Sequence, residues 1–122
     1  MGERYILGLI EKIVVLGNNG EKEELMARID SGAITSSIDL NLAKKLELGP
    51  VIRSKIVKSA SGTSERPIIE SEIKINGNLI KNEFTLANRS HMTYPILIGQ
   101  NILKQGKFLI DPLKKVNKWK LL

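Results

Sequence analysis

Two turn signals, Asn18-Asn19-Gly20 and Asn76-Gly77, each sit between runs that alternate apolar with polar residues. A tight hairpin turn needs positive φ at its centre, which Gly and Asn tolerate and which suits the twist of two antiparallel strands. The chain is thereby committed to hairpins in its first quarter and again past its middle. "IEKIVVLGNNGEKEELMARID" reads as two strands, and in the second Leu25, Ala27 and Ile29 fall on one face with Met26, Arg28 and Asp30 on the other. "IIESEIKINGNLIKNEFTLA" repeats the pattern around Asn76-Gly77. Aromatic residues make up only 4% of the chain, so Ile, Leu and Val must fill the core, and those β-branched residues favour strands.

The rest of the chain fits this frame. "DLNLAKKLELGP" predicts a short helix: Asp39 is the N-cap, Leu42, Ala43 and Leu46 form the apolar stripe, and Gly49-Pro50 end it. "VIRSKIVKSASGTSERPIIESEIKING" predicts two extended arms around a small-residue tip, with Pro67 arguing against a continuous central strand and for a free edge. "YPILIGQNILKQGKFLIDP" predicts an apolar strand, Gly99, a helical turn and a last strand ending at Asp111-Pro112. At 122 residues this amounts to one domain, 1–122. The expected fold is mainly β, a small closed barrel or sandwich-like domain with one or two short helices.

Composition narrows the chemistry. There is no cysteine, so disulfides and thiolate metal sites are excluded, and a single histidine, His91, is too few for a usual zinc shell. The simplest reading of His91 is a loop residue. A net charge of +6 would suit acidic partners, but its 19 Lys and Arg are scattered apart from "KKVNKWK", with no aromatic-rich basic motif for nucleic acid. The N-terminal apolar runs are broken by Glu11-Lys12, too short for a signal peptide or a membrane span, and Ile6 fails the myristoylation pattern at Gly2. The expectation is a cytoplasmic protein with neither nucleic-acid nor membrane partner.

Three features then line up in order: an alternating strand ending in Asp30-Ser31-Gly32-Ala33, a glycine-tipped hairpin about 30 residues later, and Ile96-Leu97-Ile98-Gly99 leading into Gln100-Asn101-Ile102-Leu103. This order resembles the retropepsin-like aspartic protease family, with its Asp-Ser/Thr-Gly-Ala loop, its flap, and its apolar-apolar-Gly-Arg-Asn/Asp-x-Leu segment. The resemblance runs from about residue 5 to 113. "RPII" and "NRSHMTYPILIGQNIL" are similar to a bacterial and archaeal group labelled ATP-dependent zinc protease and associated with ribosomal-modification ligases of the ATP-grasp type. The chain carries no Walker-type glycine loop and no His-Glu-x-x-His, so no metal or other cofactor is expected.

The resemblance implies an aspartic peptidase in which two carboxylates hold a water between them and share one proton. Only one Asp-Ser/Thr-Gly is present, so a homodimer is implied, with Asp30 from each subunit meeting at a two-fold axis. Ser31 would orient the loop through its hydroxyl, Gly32 would let backbone approach the carboxylates and the substrate, and Ala33 would complete the active-site loop. A flap at about 54–75 would close over a peptide or protein substrate through Ala60, Ser61, Gly62 and Thr63, with Arg66 in the substrate site. Ile98 and Gly99 would support the loop from behind. The relatives' ligase association and the net charge suggest an acidic or polyglutamate substrate, to which Arg66 and Arg89 could contribute; solvated arginines are the simpler reading. Viral members carry Asp and Arg where this chain has Ile34 and Gln100, so the charged pair of their substrate clamp and dimer contact is replaced as a unit. A non-catalytic peptide-binding or dimerisation module is the alternative. The tail at 114–122, with Trp119, Leu121 and Leu122, would either cover the edge of the core or serve a dimer contact.

Overall fold

The computed structural model describes residues 4–116, with Ser59 described by its backbone alone. The elements in order are β1 (Ile6–Leu7), β2 (Ile10–Leu16), β3 (Lys22–Ile29), β4 (Ser36–Asp39), α1 (Leu40–Lys45), β5 (Val51–Ser59), β6 (Gly62–Ile75), β7 (Asn78–Ala87), β8 (Ile96–Ile98), α2 (Gln100–Gln105) and β9 (Leu109–Ile110). Both turn signals fold as hairpins. Leu16 faces Lys22 across the first, and Ile75 faces Asn78 across the second. Gly20, Asn76 and Gly77 all take positive φ, the last two forming the two-residue turn that closes β6 onto β7.

Six strands run β2-β3-β8-β4-β7-β6, and a further pairing of β6 with β2 closes them into a barrel. The barrel is mixed: β3–β8 and β4–β7 are parallel, whereas β4–β8 and the hairpin pairs are antiparallel. Closure leaves β5 outside, as an edge strand on β6. Along β2 every second residue is buried, so Glu11, Ile13 and Val15 point inward. Ile13, Val15, Ala27, Ile38, Ile73, Ile75, Phe84, Ile96 and Ile98 form the centre of the core, each almost wholly excluded from solvent. Fully burying one such side chain stabilises by about 1.5–3 kcal/mol, which is what fixes strand register here. Glu11 is the charged exception. Its carboxylate accepts from Gly8 N at 2.6 Å and Lys114 Nζ at 2.8 Å, so the buried charge is paired.

Two expectations need correction. β6 is continuous through Pro67, because at that point its only neighbour is β5 (Ser54 opposite Pro67), while β7 joins from Ile68 onward. With one side open, the missing N–H need not break a ladder on both flanks, so the edge at Pro67 is free as expected, while the strand runs on and becomes central from Ile68. α1 stops at Leu46, before Gly49-Pro50, because Glu47 turns to a φ of 52°. The Asp39 cap is as expected: its Oδ2 accepts from Leu42 N at 3.3 Å. Among the described residues no helix is long and apolar enough to cross a membrane. Trp119, Leu121 and Leu122 lie outside the described residues.

Candidate active site

Asp30 sits at the open end of β3. Its N–H donates to Ile98 O at 2.9 Å, extending the parallel pairing with β8 by one residue beyond Ile29. The chain then turns, with Ala33 N donating to Asp30 O at 3.2 Å. Inside that turn Asp30 Oδ1 accepts from Gly32 N at 2.9 Å, which fixes the orientation of the half-buried carboxylate. A charge-assisted bond of this kind is about twice as strong as a neutral one. Asp30 Oδ2 accepts no hydrogen bond among the described residues, and is the oxygen left for other chemistry.

The loop hangs on the start of α2. Gln100 N donates to Ala33 O at 2.7 Å, Asn101 N to Ile34 O at 3.2 Å, and the Gln100 side-chain amide to Ser31 O at 2.9 Å. Gln100 therefore ties the loop through its neutral side chain, without the charge that an arginine would bring. Gly99 makes the close approach possible. A Cβ there would lie 2.5 Å from Thr35 O and 2.8 Å from Ala33 O, inside any ordinary contact. Ile98, fully buried, anchors β8 behind the loop.

Sequence reasoning assigned no role to Ser36, Asn82 or Asn101, yet they bind the loop to the barrel. The buried Ser36 Oγ accepts from Gly99 N at 2.9 Å and donates to Asn101 Oδ1 at 2.7 Å. Asn101 in turn donates to Asn82 Oδ1 and Glu83 O, both at 2.9 Å. The only signal was a polar Ser-Ser pair in a strand that is otherwise wholly buried.

A cleft of about 430 Å³ opens beside this loop. Leu97, Ser37 and Thr85 face one another across β8, β4 and β7 and form its floor. Gly32, Ala33, Ile34 and Thr35 give one wall, and Lys55 and Arg66, paired directly across β5 and β6, give another. Arg89 closes the end. Its backbone N–H donates to Asp39 Oδ1 at 2.8 Å and its Nε to Tyr94 O at 3.1 Å. Burial, joined by the charges of Arg28 and Arg66 and opposed by Asp39, holds the Arg89 guanidinium below the usual arginine pKa. The structure thus brings Gly32, Ala33 and Arg66 together with Arg89, while Ala60, Ser61, Gly62 and Thr63 stay exposed at the hairpin tip and line no part of the cleft. His91 is exposed on the loop after β7.

A second cleft, which shares Thr35, Lys55 and Thr85 with the first as lining, also takes in Ile68 and Phe84, and there Arg53 on β5 makes a two-pronged ion pair with Glu83 on β7. That hydrogen bonding lowers the Glu83 pKa and raises that of Arg53. Among the described residues no three His, Cys, Asp or Glu side chains cluster as metal ligands.

A closed six-stranded barrel with an Asp-Ser-Gly loop packed on an apolar strand and glycine defines the retropepsin-like fold class. Solved structures agree. The chain matches a Legionella pneumophila protein of unknown function at a TM-score of 0.67 and 20% identity, over 94% of this chain and 98% of that one. It matches the simian foamy virus (mac) protease at 0.59 and 16% identity, over 78% and 91%. The RimB-like family, described as "Retropepsin-like aspartic endopeptidase RimB", matches residues 39–120, and the chain belongs to that family. The matched stretch begins after Asp30, at the last residue of β4, the strand into which the Asp30 loop leads. Curated relatives named "Probable alpha-L-glutamate ligase" come from Shewanella pealeana (36% identical) and Desulfotalea psychrophila (31% identical), each aligned over 72% of this chain. The chain spans about a quarter, 24%, of the length of those relatives.

Proposed function

We propose that the protein is a cytoplasmic, homodimeric aspartic peptidase in which the Asp30 carboxylates of two subunits share a proton and activate one water. The water attacks the peptide carbonyl as one carboxylate takes its proton. The other carboxyl donates to the carbonyl oxygen; the C–N bond then breaks and the amine leaves protonated. The observation that carries this reading is Asp30 itself, with Oδ1 fixed by Gly32 N and Oδ2 left open at the end of a strand in a retropepsin-like barrel. Exposed apolar residues near the loop support a second copy: Leu9 is 54% exposed, Ile6 46% and Leu109 44%, and β1 pairs β9 at that edge. The hairpin of β5 and β6 acts as the flap, turning at Gly62, whose φ of 123° suits glycine.

The substrate is an acidic peptide, such as a glutamate-rich tail. The net charge and the ligase names of the relatives support this, since an enzyme that adds glutamates and one that removes them would meet the same chain. Asp30→Asn is expected to abolish cleavage of glutamate-rich peptides while preserving fold and dimer. Undiminished cleavage by that variant would refute the assignment.

A second reading, a non-catalytic module that binds acidic peptides for a ligase, is favoured by the relatives' names and by the replacement of the viral charged pair by Ile34 and Gln100. It predicts that the wild-type dimer binds such peptides and leaves them intact at every pH tested.

A further inference from the structure

Among the groups in the cleft, the Ser37 hydroxyl stands out. The residue is nine-tenths buried, and its Oγ has no hydrogen-bond partner. A buried hydroxyl without a partner costs about 1–3 kcal/mol, an expense that a folded chain rarely keeps without a use for it. Ser37 lies on the cleft floor, with the bases Lys55, Arg66 and Arg89 around it. Among the described residues none of these three has an ion-pair partner, whereas Arg53, two residues before Lys55 on β5, is paired with Glu83. The nearby Asp39 carboxylate is already committed, accepting from Leu42 N and Arg89 N. Three unpaired cations and one unpartnered donor therefore converge next to the Asp30 loop, and the groups match those of a carboxylate: a hydroxyl to donate at depth and guanidinium to donate from the side.

We propose that this cleft is a specificity subsite for a glutamate or aspartate side chain of the substrate, with Ser37 and Arg66 as the residues that read its carboxylate and Arg89 and Lys55 supplying the field. This rests on the reading that the protein takes peptides. It goes further by naming the residues that select an acidic side chain and by locating them on the β4, β5–β6 and post-β7 side of the loop. Arg66 is the cleaner probe, because Arg89 also holds Tyr94 O and its loss would loosen its own loop.

The test uses the full chain and pairs of peptides identical except for Glu or Gln at one position, moved stepwise along the sequence. The wild type is expected to prefer Glu over Gln by roughly 10- to 100-fold in kcat/KM at one position, the size of one buried charged hydrogen bond. Arg66→Gln and Ser37→Ala should each reduce that ratio, and the double variant should bring it near one. Ser37→Ala deletes only an unpartnered hydroxyl, so a folding defect is not expected to confuse the result. The same peptides titrated onto Asp30→Asn give a binding readout independent of catalysis. If nothing is cleaved but Glu-over-Gln binding is seen and is lost with Arg66→Gln, the peptidase reading fails and the subsite stands. A Glu-over-Gln ratio that survives in the double variant, or no Glu preference in binding at any position, overturns the subsite. So does inorganic phosphate binding as tightly as the Glu peptide, because that makes the cluster a general anion site.

Discussion

Replacing Gly99 by alanine should damage the loop that holds Asp30 more than any other single-methyl change in the barrel. The backbone there is extended and any residue could adopt it, so the cost is one of space alone. The added Cβ would meet Thr35 O at 2.5 Å, Thr35 C at 2.7 Å and Ala33 O at 2.8 Å, all backbone atoms that no rotamer change can move. An ordinary carbon–oxygen contact begins near 3.3 Å, so the loop must retreat by about 0.8 Å. That retreat would stretch the 2.7 Å bond from Gln100 N to Ala33 O past bonding distance and strain Gly99 N on Ser36 Oγ. Overpacking of a tight site costs about 1–3 kcal/mol, and the upper half of that range is expected here. Because a misplacement near 1 Å costs about 100-fold in rate, cleavage of glutamate-rich peptides should fall by roughly 30- to 100-fold. Urea denaturation gives the first quantity and initial rates give the second. A Gly99→Ala protein within about 0.5 kcal/mol of wild type would refute the packing argument.

Other outcomes follow from the same contacts. Ser36→Ala should lose about 1–3 kcal/mol in urea denaturation, because it strands the Gly99 N–H and one acceptor of Asn101 in the interior. Gly32→Ala should keep its stability yet lose activity, since the new Cβ lies 3.3 Å from Asp30 Oδ1, a squeeze on the carboxylate rather than on the core; equal initial rates for variant and wild type would contradict this. The Arg53–Glu83 pair makes stability pH-dependent. The folded-state pKa of Glu83 is depressed by its hydrogen bond to Arg53, so its stabilisation is present above the unfolded carboxylate pKa and is lost as pH falls through the lower folded value. Thermal unfolding from pH 6 down to pH 2, roughly the carboxylate range and below, should show a steeper acid limb for wild type than for Glu83→Gln.

Much of the fold was legible because local chemistry decided it. Asn76-Gly77 could only turn, Asp39 could only cap, and the alternation along Ile10–Leu16 permitted one inward face. Gly99 was legible too, as a place where one segment crosses closely behind another. What escaped depended on partners far away in sequence. The meaning of Pro67 turned on β7 starting its pairing one residue later. Ser36 became part of the loop only because β8 and α2 return beside it after more than sixty residues, with Asn101 in reach. The basic cleft needed the β5–β6 register to set Lys55 opposite Arg66, and Asp39 to draw Arg89 in from the loop after β7. Charge and spacing in a sequence cannot supply such a register.

The most direct test of the central claim is a crystal structure of the species that elutes as a dimer in solution, read for the distance between the two Asp30 carboxyl groups. A shared proton predicts carboxyl oxygens about 3 Å apart across a two-fold axis, with Ser31 and Gln100 of both copies beside them. A protein that stays monomeric at working concentrations, or a dimer that holds these carboxyls more than about 5 Å apart, would contradict it.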